Sequence, residues 1–306
     1  MVIGAGGTGG LIGAYLARGK KDVTLIARGQ HLKAMKESGL TVKTYGHTPF
    51  TIKGIKAISE DELGDQKFDI VFVTVKAYSL RDILALIEKA CHSTTLVIPI
   101  LNSLGAGTYL REKLPKLQIY DGCIYITGYL SAPGEVSQNN TIFRIVYGFN
   151  EESSKNQKER LIMEEELREC GIRVKYSSVI TSEIFRKLCF TSAFAAVAAY
   201  YDKQASDLQI PGMYRDLFIC LLEELYQISA AAGFSLGRNE ISESSVKILD
   251  SLSPDFTASI QKDLKQGKPD EREQLLFDIV RLAERNKVKV PQYLKIAQYF
   301  GYTPLN

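Results

Sequence analysis

The chain has 306 residues, which is more than one typical domain needs and enough for two. Its composition, 45% hydrophobic and 24% charged, is that of an ordinary globular protein and excludes disordered and fibrous classes. The net charge of +3 is small and the basic residues are interleaved with acidic ones, so we expect no nucleic-acid partner and no membrane surface. No uncharged run reaches the roughly 20 apolar residues of a membrane span, and no signal peptide is apparent.

The five cysteines are scattered through the sequence without a CxxC pair. This pattern is typical of reduced thiols, so we expect a cytoplasmic protein. Only three histidines are present and none lies near a cysteine pair, so no metal site is expected.

Residues 1–178 alternate short apolar strands with helical segments. The strand-like runs are MVI, VTLIAR, FDIVFVTVK and TTLVIPI, with LIGAYLARGK and AYSLRDILALIEKAC as helical segments between them. This alternation predicts a parallel, doubly wound sheet. DGCIYITGYL, NTIFRIVYG and IRVKYSS add further strand-like runs, interrupted by a helical segment around KNQKERLIMEEELREC. Strands usually have five or six residues and only three precede Gly4, so either the first strand is short or the start codon lies upstream.

A glycine-rich turn follows the first strand and opens the first helix. It matches G-x-G-x-x-G and consists of Gly4, Ala5, Gly6, Gly7, Thr8 and Gly9. Such glycines permit a tight turn, close approach of the backbone to a pyrophosphate, and close helix–strand packing. Because the motif follows a strand, opens a helix and precedes a second strand at the expected spacing, it predicts a dinucleotide site.

Three further side chains lie at the ends of predicted strands. Arg28 ends the second strand where an NAD site usually has Asp or Glu, and it suits a 2′-phosphate, so NADP is favoured over NAD. A solvated surface arginine is the alternative. Lys76 ends the long strand FDIVFVTVK and Asn102 follows the strand TTLVIPI, so both lie at the edge where ligands bind in open α/β sheets. An ordinary strand-end lysine and a turn-forming asparagine fit these positions as well.

Strand signals disappear after about residue 178, and residues 179–306 predict an all-helical domain. Its first helix contains FRKLCFTSAFAAVAAYYDK, which has no charged residue between Lys187 and Asp202. Ser182 is a candidate cap for this helix, and Lys187, Thr191 and Ala195 share one of its faces. Desolvation of an ammonium on a largely buried helix costs free energy. Lys187 therefore either extends its aliphatic stem to a nearby surface or has a function.

The order and spacing of these motifs resemble the ketopantoate reductase family (2-dehydropantoate 2-reductases) over nearly the full chain. The resemblance is carried by GAGGTG, AR-G-QHL, VKAYS, LNSLG, the E-x-F-R-K-L helix and SIQKDLKQGKPDERE. It implies a Rossmann domain joined to a helical domain, with NADPH and a small 2-keto acid bound in the cleft between them.

The resemblance also implies roles for individual residues. Lys187 becomes the general acid that protonates the keto oxygen, and Glu271 the acidic residue that helps to order the cofactor and the lysine. Asn102 lies beside the nicotinamide and the substrate, and Ser259 binds the substrate. Arg28 and Lys76 contact the cofactor phosphates. Without the resemblance, Glu271 and Ser259 read as ordinary surface residues.

The sequence departs from the family at the substrate positions. The family commonly has asparagines four and eight residues after the catalytic lysine, where this chain has Thr191 and Ala195, and its Asn-Gly is Asn102-Ser103 here. Thr191 retains a hydroxyl and is therefore predicted to contact the substrate, whereas Ala195 has no hydrogen-bonding side chain. The expected activity is reduction of ketopantoate to pantoate for coenzyme A synthesis.

The sequence leaves two alternatives open. One is an NADPH-dependent reductase of another 2-keto acid or of an imine, and the other is a non-catalytic NADP-binding sensor. The apolar, tyrosine-rich helices of residues 194–230 fit either the interface of a homodimer or the core of the domain, and core is the commoner use.

Overall fold

The computed structural model describes residues 1–150 and 156–304, and the statements below concern these residues. They form two compact units. The first comprises Met1–Leu101 and Gly105–Ile180, and the second comprises Asn102–Leu104 and the chain from Thr181 onward. Every strand in the described ranges belongs to the first unit. The domain boundary after residue 178 stays a prediction.

The strands, in chain order, are β1 (Val2–Ile3), β2 (Thr24–Ile26), β3 (Leu40–Thr44), β4 (Phe50–Ile52), β5 (Lys56–Ile58), β6 (Phe68–Val73), β7 (Cys91–Pro99), β8 (Gln118–Ile119), β9 (Asp121–Tyr125), β10 (Gly128–Ala132), β11 (Glu135–Gln138), β12 (Arg144–Gly148) and β13 (Arg173–Ser177). The α-helices of the first unit are α1 (Gly7–Arg18), α2 (Gly29–Ser38), α3 (Leu84–Ala90), α4 (Ala106–Lys113) and α5 (Gln157–Glu169). The helices that follow are α6 (Ile180–Tyr201), α7 (Ala205–Gln209), α8 (Met213–Ala231), α9 (Arg238–Ser251), α10 (Ser259–Lys265), α11 (Asp278–Arg285) and α12 (Pro291–Tyr299).

The main sheet of the first unit is parallel throughout and has the order β5-β2-β1-β6-β7-β8. Counted along the chain within this sheet, the order is 3-2-1-4-5-6, which is the order of dinucleotide-binding folds. The order reverses between β1 and β6, and ligands bind such sheets at the carboxyl ends of the strands beside this reversal. Gly4 directly follows β1 and is therefore at this point.

Both faces of the main sheet are buried. Val2 and Phe72 pack into one hydrophobic core, whereas Ile3 and Val73 pack into another. Because successive side chains of a strand point to opposite faces, the near-continuous apolar runs of β1 and β6 supply both cores at once. The predicted fold class, a Rossmann-type parallel sheet followed by a helical region, is confirmed.

Two smaller sheets complete the first unit, with the orders β10-β11-β3-β4 and β13-β12-β9. The interpretation of DGCIYITGYL as one strand is wrong, because β9 and β10 belong to different sheets. The predicted strand FDIVFVTVK is also too long, since β6 ends at Val73. In the predicted helix AYSLRDILALIEKAC, two short 3-10 turns come first and only Leu84–Ala90 is α-helical.

The second unit is built around α6, whose apolar side chains join a single large core with α8, α11 and α12. The lack of charge in the part of α6 that follows Lys187 agrees with this burial, because an ammonium or carboxylate inside the core would lose its hydration. The helix begins at Ile180, so Ser182 lies within its first turn and the prediction of a Ser182 cap is wrong.

None of the helices in the described ranges is long and apolar enough to cross a membrane. Over the same ranges, no cluster of three or more His, Cys, Asp or Glu side chains is placed to hold a metal ion. All five cysteines are free thiols.

Candidate active site

The glycine turn is held at the reversal of the main sheet by bonds to both neighbouring strands. The backbone N–H groups of Gly4 and Ala5 donate to the carbonyl oxygen of Ile26 at 3.2 and 3.0 Å. The hydroxyl of Thr74, which follows β6, donates to the carbonyl oxygen of Gly4 at 2.8 Å. Gly4 adopts φ +97°, which is a conformation that favours glycine. The turn is thereby fixed where a dinucleotide is expected.

The glycines of this turn differ in what surrounds them. A Cβ atom at Gly9 would overlap the Gly4 carbonyl oxygen and the Thr74 hydroxyl, so Gly9 is required for close packing of helix on strand. A Cβ atom at Gly6 would meet open space. Within the described residues, no acceptor contacts the backbone N–H groups of Gly6, Gly7 and Thr8. Open space in front of donor groups at a helix N-terminus fits a pyrophosphate.

Arg28 and Lys76 lie beyond the strands that the sequence predicts them to end, because β2 ends at Ile26 and β6 at Val73. Arg28 directly precedes α2 and its side chain is exposed. No hydrogen bond or ion pair to another described residue holds its guanidinium, so this group can bind an anion from solution. Lys76 directly precedes a 3-10 turn (Ala77–Ser79) and is half-buried, with an interaction partner within the chain.

In the second unit, the structure joins two of the predicted site residues directly. The ammonium Nζ of Lys187, on α6, donates to the side-chain Oδ1 of Asn102 at 2.7 Å. This distance is that of a strong, charge-assisted hydrogen bond. The lysine is half-buried, so its charge is stabilised by a fixed amide oxygen rather than only by water.

The two positions beyond Lys187 on the same helix face differ from each other. The hydroxyl of Thr191 donates to the backbone carbonyl oxygen of Lys187 at 3.1 Å, so its hydrogen is used inside the helix while its oxygen can still accept. Ala195 is 1% exposed and belongs to the core of the unit. The prediction that Thr191 contacts the substrate is not tested by this arrangement.

Glu271 and Ser259 occupy contrasting environments. Glu271 is 4% exposed and has an interaction partner within the chain, whereas Ser259 is exposed at the first position of α10. Without the resemblance, Glu271 is expected at the surface, and this expectation is wrong because the side chain is buried. A π-helical turn (Glu273–Phe277) begins two residues after Glu271, and such turns often accompany functional sites. No hydrogen bond between Ser259 and Lys187, Asn102 or Glu271 is present in the described ranges.

Sequence reasoning missed two residues that fix the glycine turn. Thr74 binds Gly4, and nothing in the sequence distinguishes it from other polar residues at strand ends. His31 contacts the carbonyl oxygen of Ala5 at 2.8 Å, and its place just after Arg28 at the start of α2 was the available signal.

Comparison with known protein families identifies both parts of the chain. Residues 1–152 match the family described as ketopantoate reductase PanE/ApbA, and residues 179–301 match the ketopantoate reductase PanE/ApbA C-terminal family. An uncharacterized oxidoreductase, YkpB, of Bacillus subtilis is 26% identical over 95% of this chain and 94% of its own. The 2-dehydropantoate 2-reductase of Lactococcus lactis is 25% identical over 78% of this chain and 76% of its own.

Solved structures with the same fold include reductases of two kinds. A D-mandelate dehydrogenase with NADH and anilino(oxo)acetate has a TM-score of 0.86 at 21% identity, covering 97% of this chain and 96% of that one. A PanE/ApbA family ketopantoate reductase from Ralstonia eutropha has a TM-score of 0.85 at 23% identity, covering 98% and 97%. A dimeric ketopantoate reductase from Staphylococcus aureus has a TM-score of 0.81 at 18% identity, covering 97% and 96%.

Proposed function

The chain belongs to the ketopantoate reductase PanE/ApbA family of oxidoreductases, and we propose that it reduces 2-dehydropantoate (ketopantoate) to pantoate with NADPH. This reaction belongs to pantothenate and coenzyme A biosynthesis. The observation that carries the proposal is the 2.7 Å bond between Lys187 and Asn102. It fixes the Lys187 ammonium at the start of a stretch of α6 that carries no further charge before Asp202.

Lys187 acts as the general acid in this proposal. When a carbonyl carbon receives hydride, negative charge develops on the oxygen, and a fixed cation both stabilises that charge and supplies the proton. An ammonium has three N–H donors, and Asn102 accepts from one of them, so this bond orients the side chain. We further propose that Glu271 helps to order this lysine, because it is a buried acidic group of the same unit.

The cofactor that supplies the hydride is NADP(H) in this proposal. Two features of the first unit support it. The donor groups and open space at Gly6 fit the pyrophosphate. The exposed guanidinium of Arg28 fits a 2′-phosphate, because a guanidinium can bind a phosphate through two parallel hydrogen bonds. Lys76 is proposed as a second phosphate contact.

A different 2-keto acid, with a more apolar side chain, is the second candidate substrate. Ala195 is buried in the core and offers no polar side chain, and the Thr191 hydroxyl hydrogen already binds the Lys187 carbonyl oxygen. Few donors therefore remain along this helix face for the hydroxyl and carboxylate of ketopantoate. A D-mandelate dehydrogenase solved with NADH and anilino(oxo)acetate has the same fold, which supports this second candidate.

A substrate panel distinguishes the two candidates. The purified protein is incubated with NADPH or NADH and with ketopantoate, an aliphatic 2-keto acid, an aryl 2-keto acid or a cyclic imine, and oxidation of the cofactor is followed by absorbance. We expect NADPH with ketopantoate to give the highest kcat/KM. A higher kcat/KM with an aryl or other apolar 2-keto acid would show that this acid, not ketopantoate, is the better substrate. An absence of turnover with every compound in the panel would contradict the proposed reduction.

We place the protein in the cytoplasm, which agrees with its five free thiols. A homodimer is the assembly proposed for it, because a protein of the same fold is dimeric. Gel filtration with light scattering measures this directly, and a mass near 34.1 kDa, that of one chain, would contradict it.

A further inference from the structure

His31 connects two turns of the first unit through its imidazole ring. The side chain lies in the first turn of α2, three residues after Arg28. Its Nε2 atom is 2.8 Å from the carbonyl oxygen of Ala5, inside the glycine turn. Its Nδ1 atom is 2.9 Å from the backbone nitrogen of Gly134, in the turn between β10 and β11. One side chain therefore holds both turns.

The two contacts determine the tautomer of the ring. A backbone N–H can only donate, so Nδ1 of His31 must be the unprotonated acceptor for Gly134. A carbonyl oxygen can only accept, so Nε2 must carry the hydrogen that is donated to Ala5. Burial lowers the pKa of His31 and so favours the neutral ring that this arrangement needs.

Fixing the Ala5 carbonyl also fixes the next backbone N–H. In a planar trans peptide, the C=O of one residue and the N–H of the next point in opposite directions, and the described chain contains no cis peptide bond. The bond from His31 to the Ala5 oxygen therefore directs the N–H of Gly6 away from the imidazole. That N–H has no acceptor in the described part of the chain, and the space beside Gly6 is open.

The hairpin held by His31 also packs against α1, the helix that the glycine turn opens. A Cβ atom at Gly7 would lie 2.7 Å from the carbonyl oxygen of Gly128, and one at Gly10 would lie 2.8 Å from the side chain of Val136. The β10–β11 hairpin is thus in close contact with the beginning of α1. His31 links this hairpin to the Ala5–Gly6 peptide, so a shift of one moves the other.

We propose that His31 is a positioning residue of the dinucleotide site: its neutral ring orients the Ala5–Gly6 peptide so that the Gly6 N–H faces the cofactor pyrophosphate. This inference rests on the proposed NADPH site. It predicts that His31 affects cofactor affinity while leaving proton transfer by Lys187 unchanged, because it contacts neither substrate nor the reacting atoms.

The test compares His31→Leu with His31→Gln. Leucine removes both hydrogen bonds, and glutamine can restore them, because its amide nitrogen and oxygen flank one carbon as the two ring nitrogens do. NADPH affinity is measured by fluorescence titration, and kcat is measured at saturating NADPH. We expect His31→Leu to raise the Kd of NADPH by about tenfold or more with kcat unchanged, and His31→Gln to restore affinity to within about threefold of wild type.

The outcomes separate this inference from the proposed function. Failure of the wild-type protein to bind either NADPH or NADH would contradict the proposed dinucleotide site itself. Wild-type binding with an unchanged Kd in His31→Leu would overturn the role of His31 alone, as would a glutamine variant that is no better than leucine. Because His31→Leu is at risk of misfolding, the tautomer is also measured in the wild type by long-range ¹H–¹⁵N NMR. We expect the Nε2–H form, and an Nδ1–H form would contradict the inference.

Discussion

Lys187 and Asn102 are separated by 84 residues of sequence and joined by a hydrogen bond of 2.7 Å between Nζ and Oδ1. Asn102 lies in the segment that follows β7, and Lys187 lies on α6. Both belong to the second compact unit. The bond explains how a helix buried on most of its surface keeps an ammonium, because a fixed amide oxygen replaces part of the lost hydration.

Removal of the Asn102 amide should impair catalysis more than folding. In Asn102→Ala, the Lys187 ammonium loses a charge-assisted acceptor and is no longer held in one orientation. A hydrogen bond to a charged group contributes about 1.5–3 kcal/mol, so we expect kcat to fall by about tenfold or more. The matched control is Asn239→Ala, the same change at an exposed position of α9. Equal kcat values for the two variants would show that the bond has no catalytic role.

Alanine at Gly6 and alanine at Gly9 should have opposite consequences. A Cβ atom at Gly6 meets open space, so Gly6→Ala should leave the melting temperature nearly unchanged. The same variant should weaken NADPH binding by about tenfold or more, because the added methyl group occupies the space proposed for the pyrophosphate. A Cβ atom at Gly9 overlaps the Gly4 carbonyl oxygen and the Thr74 hydroxyl, so Gly9→Ala should lose about 1–3 kcal/mol of stability. Calorimetry and fluorescence titration measure the two effects. Unchanged NADPH affinity in Gly6→Ala would place the cofactor elsewhere.

Arg28 should determine the preference for NADPH over NADH. Its exposed guanidinium is unpaired within the described residues, and we propose that the 2′-phosphate of NADPH binds it. Arg28→Ala should raise the Kd of NADPH by about tenfold to a hundredfold and leave the Kd of NADH unchanged. Lys33→Ala, at an exposed position of the helix α2 that follows Arg28, is the control. A parallel loss of affinity for both cofactors would argue against a 2′-phosphate contact.

Ala195 should not tolerate the asparagine that is common in the family. It is 1% exposed within the core, so Ala195→Asn buries an amide and should reduce the free energy of unfolding by about 1–3 kcal/mol. Ala230→Asn, at an exposed position of α8, is the matched control and should change stability little. Urea denaturation of both variants gives the comparison. A stable Ala195→Asn protein with improved kcat/KM for ketopantoate would instead show that this position faces the substrate.

The sequence predicted the parallel sheet, the glycine turn and the helical second half because those features are locally encoded. A G-x-G-x-x-G motif between a strand and a helix specifies a turn through residues that are neighbours in sequence. The uncharged run of α6 after Lys187 likewise reflects its burial directly. The strand pattern of DGCIYITGYL was ambiguous, since only tertiary pairing assigns β9 and β10 to different sheets.

Contacts between distant residues could not be predicted from this sequence alone. His31 meets Gly134 across 103 residues, and Thr74 meets Gly4 across 70 residues. Neither pair has a periodic pattern or a motif that marks it. The burial of Glu271 is a similar case, because it lies among charged residues of a sequence that reads as solvent-exposed.

The most direct test of the central claim is oxidation of NADPH by ketopantoate with the wild type and with Lys187→Ala. We expect turnover by the wild type and a decrease in kcat of about 10²–10⁴-fold in the variant, because the general acid and the fixed charge are both lost. The Kd of NADPH, measured on the same preparations, should change far less. A Lys187→Ala protein that reduces ketopantoate as fast as the wild type would contradict the account.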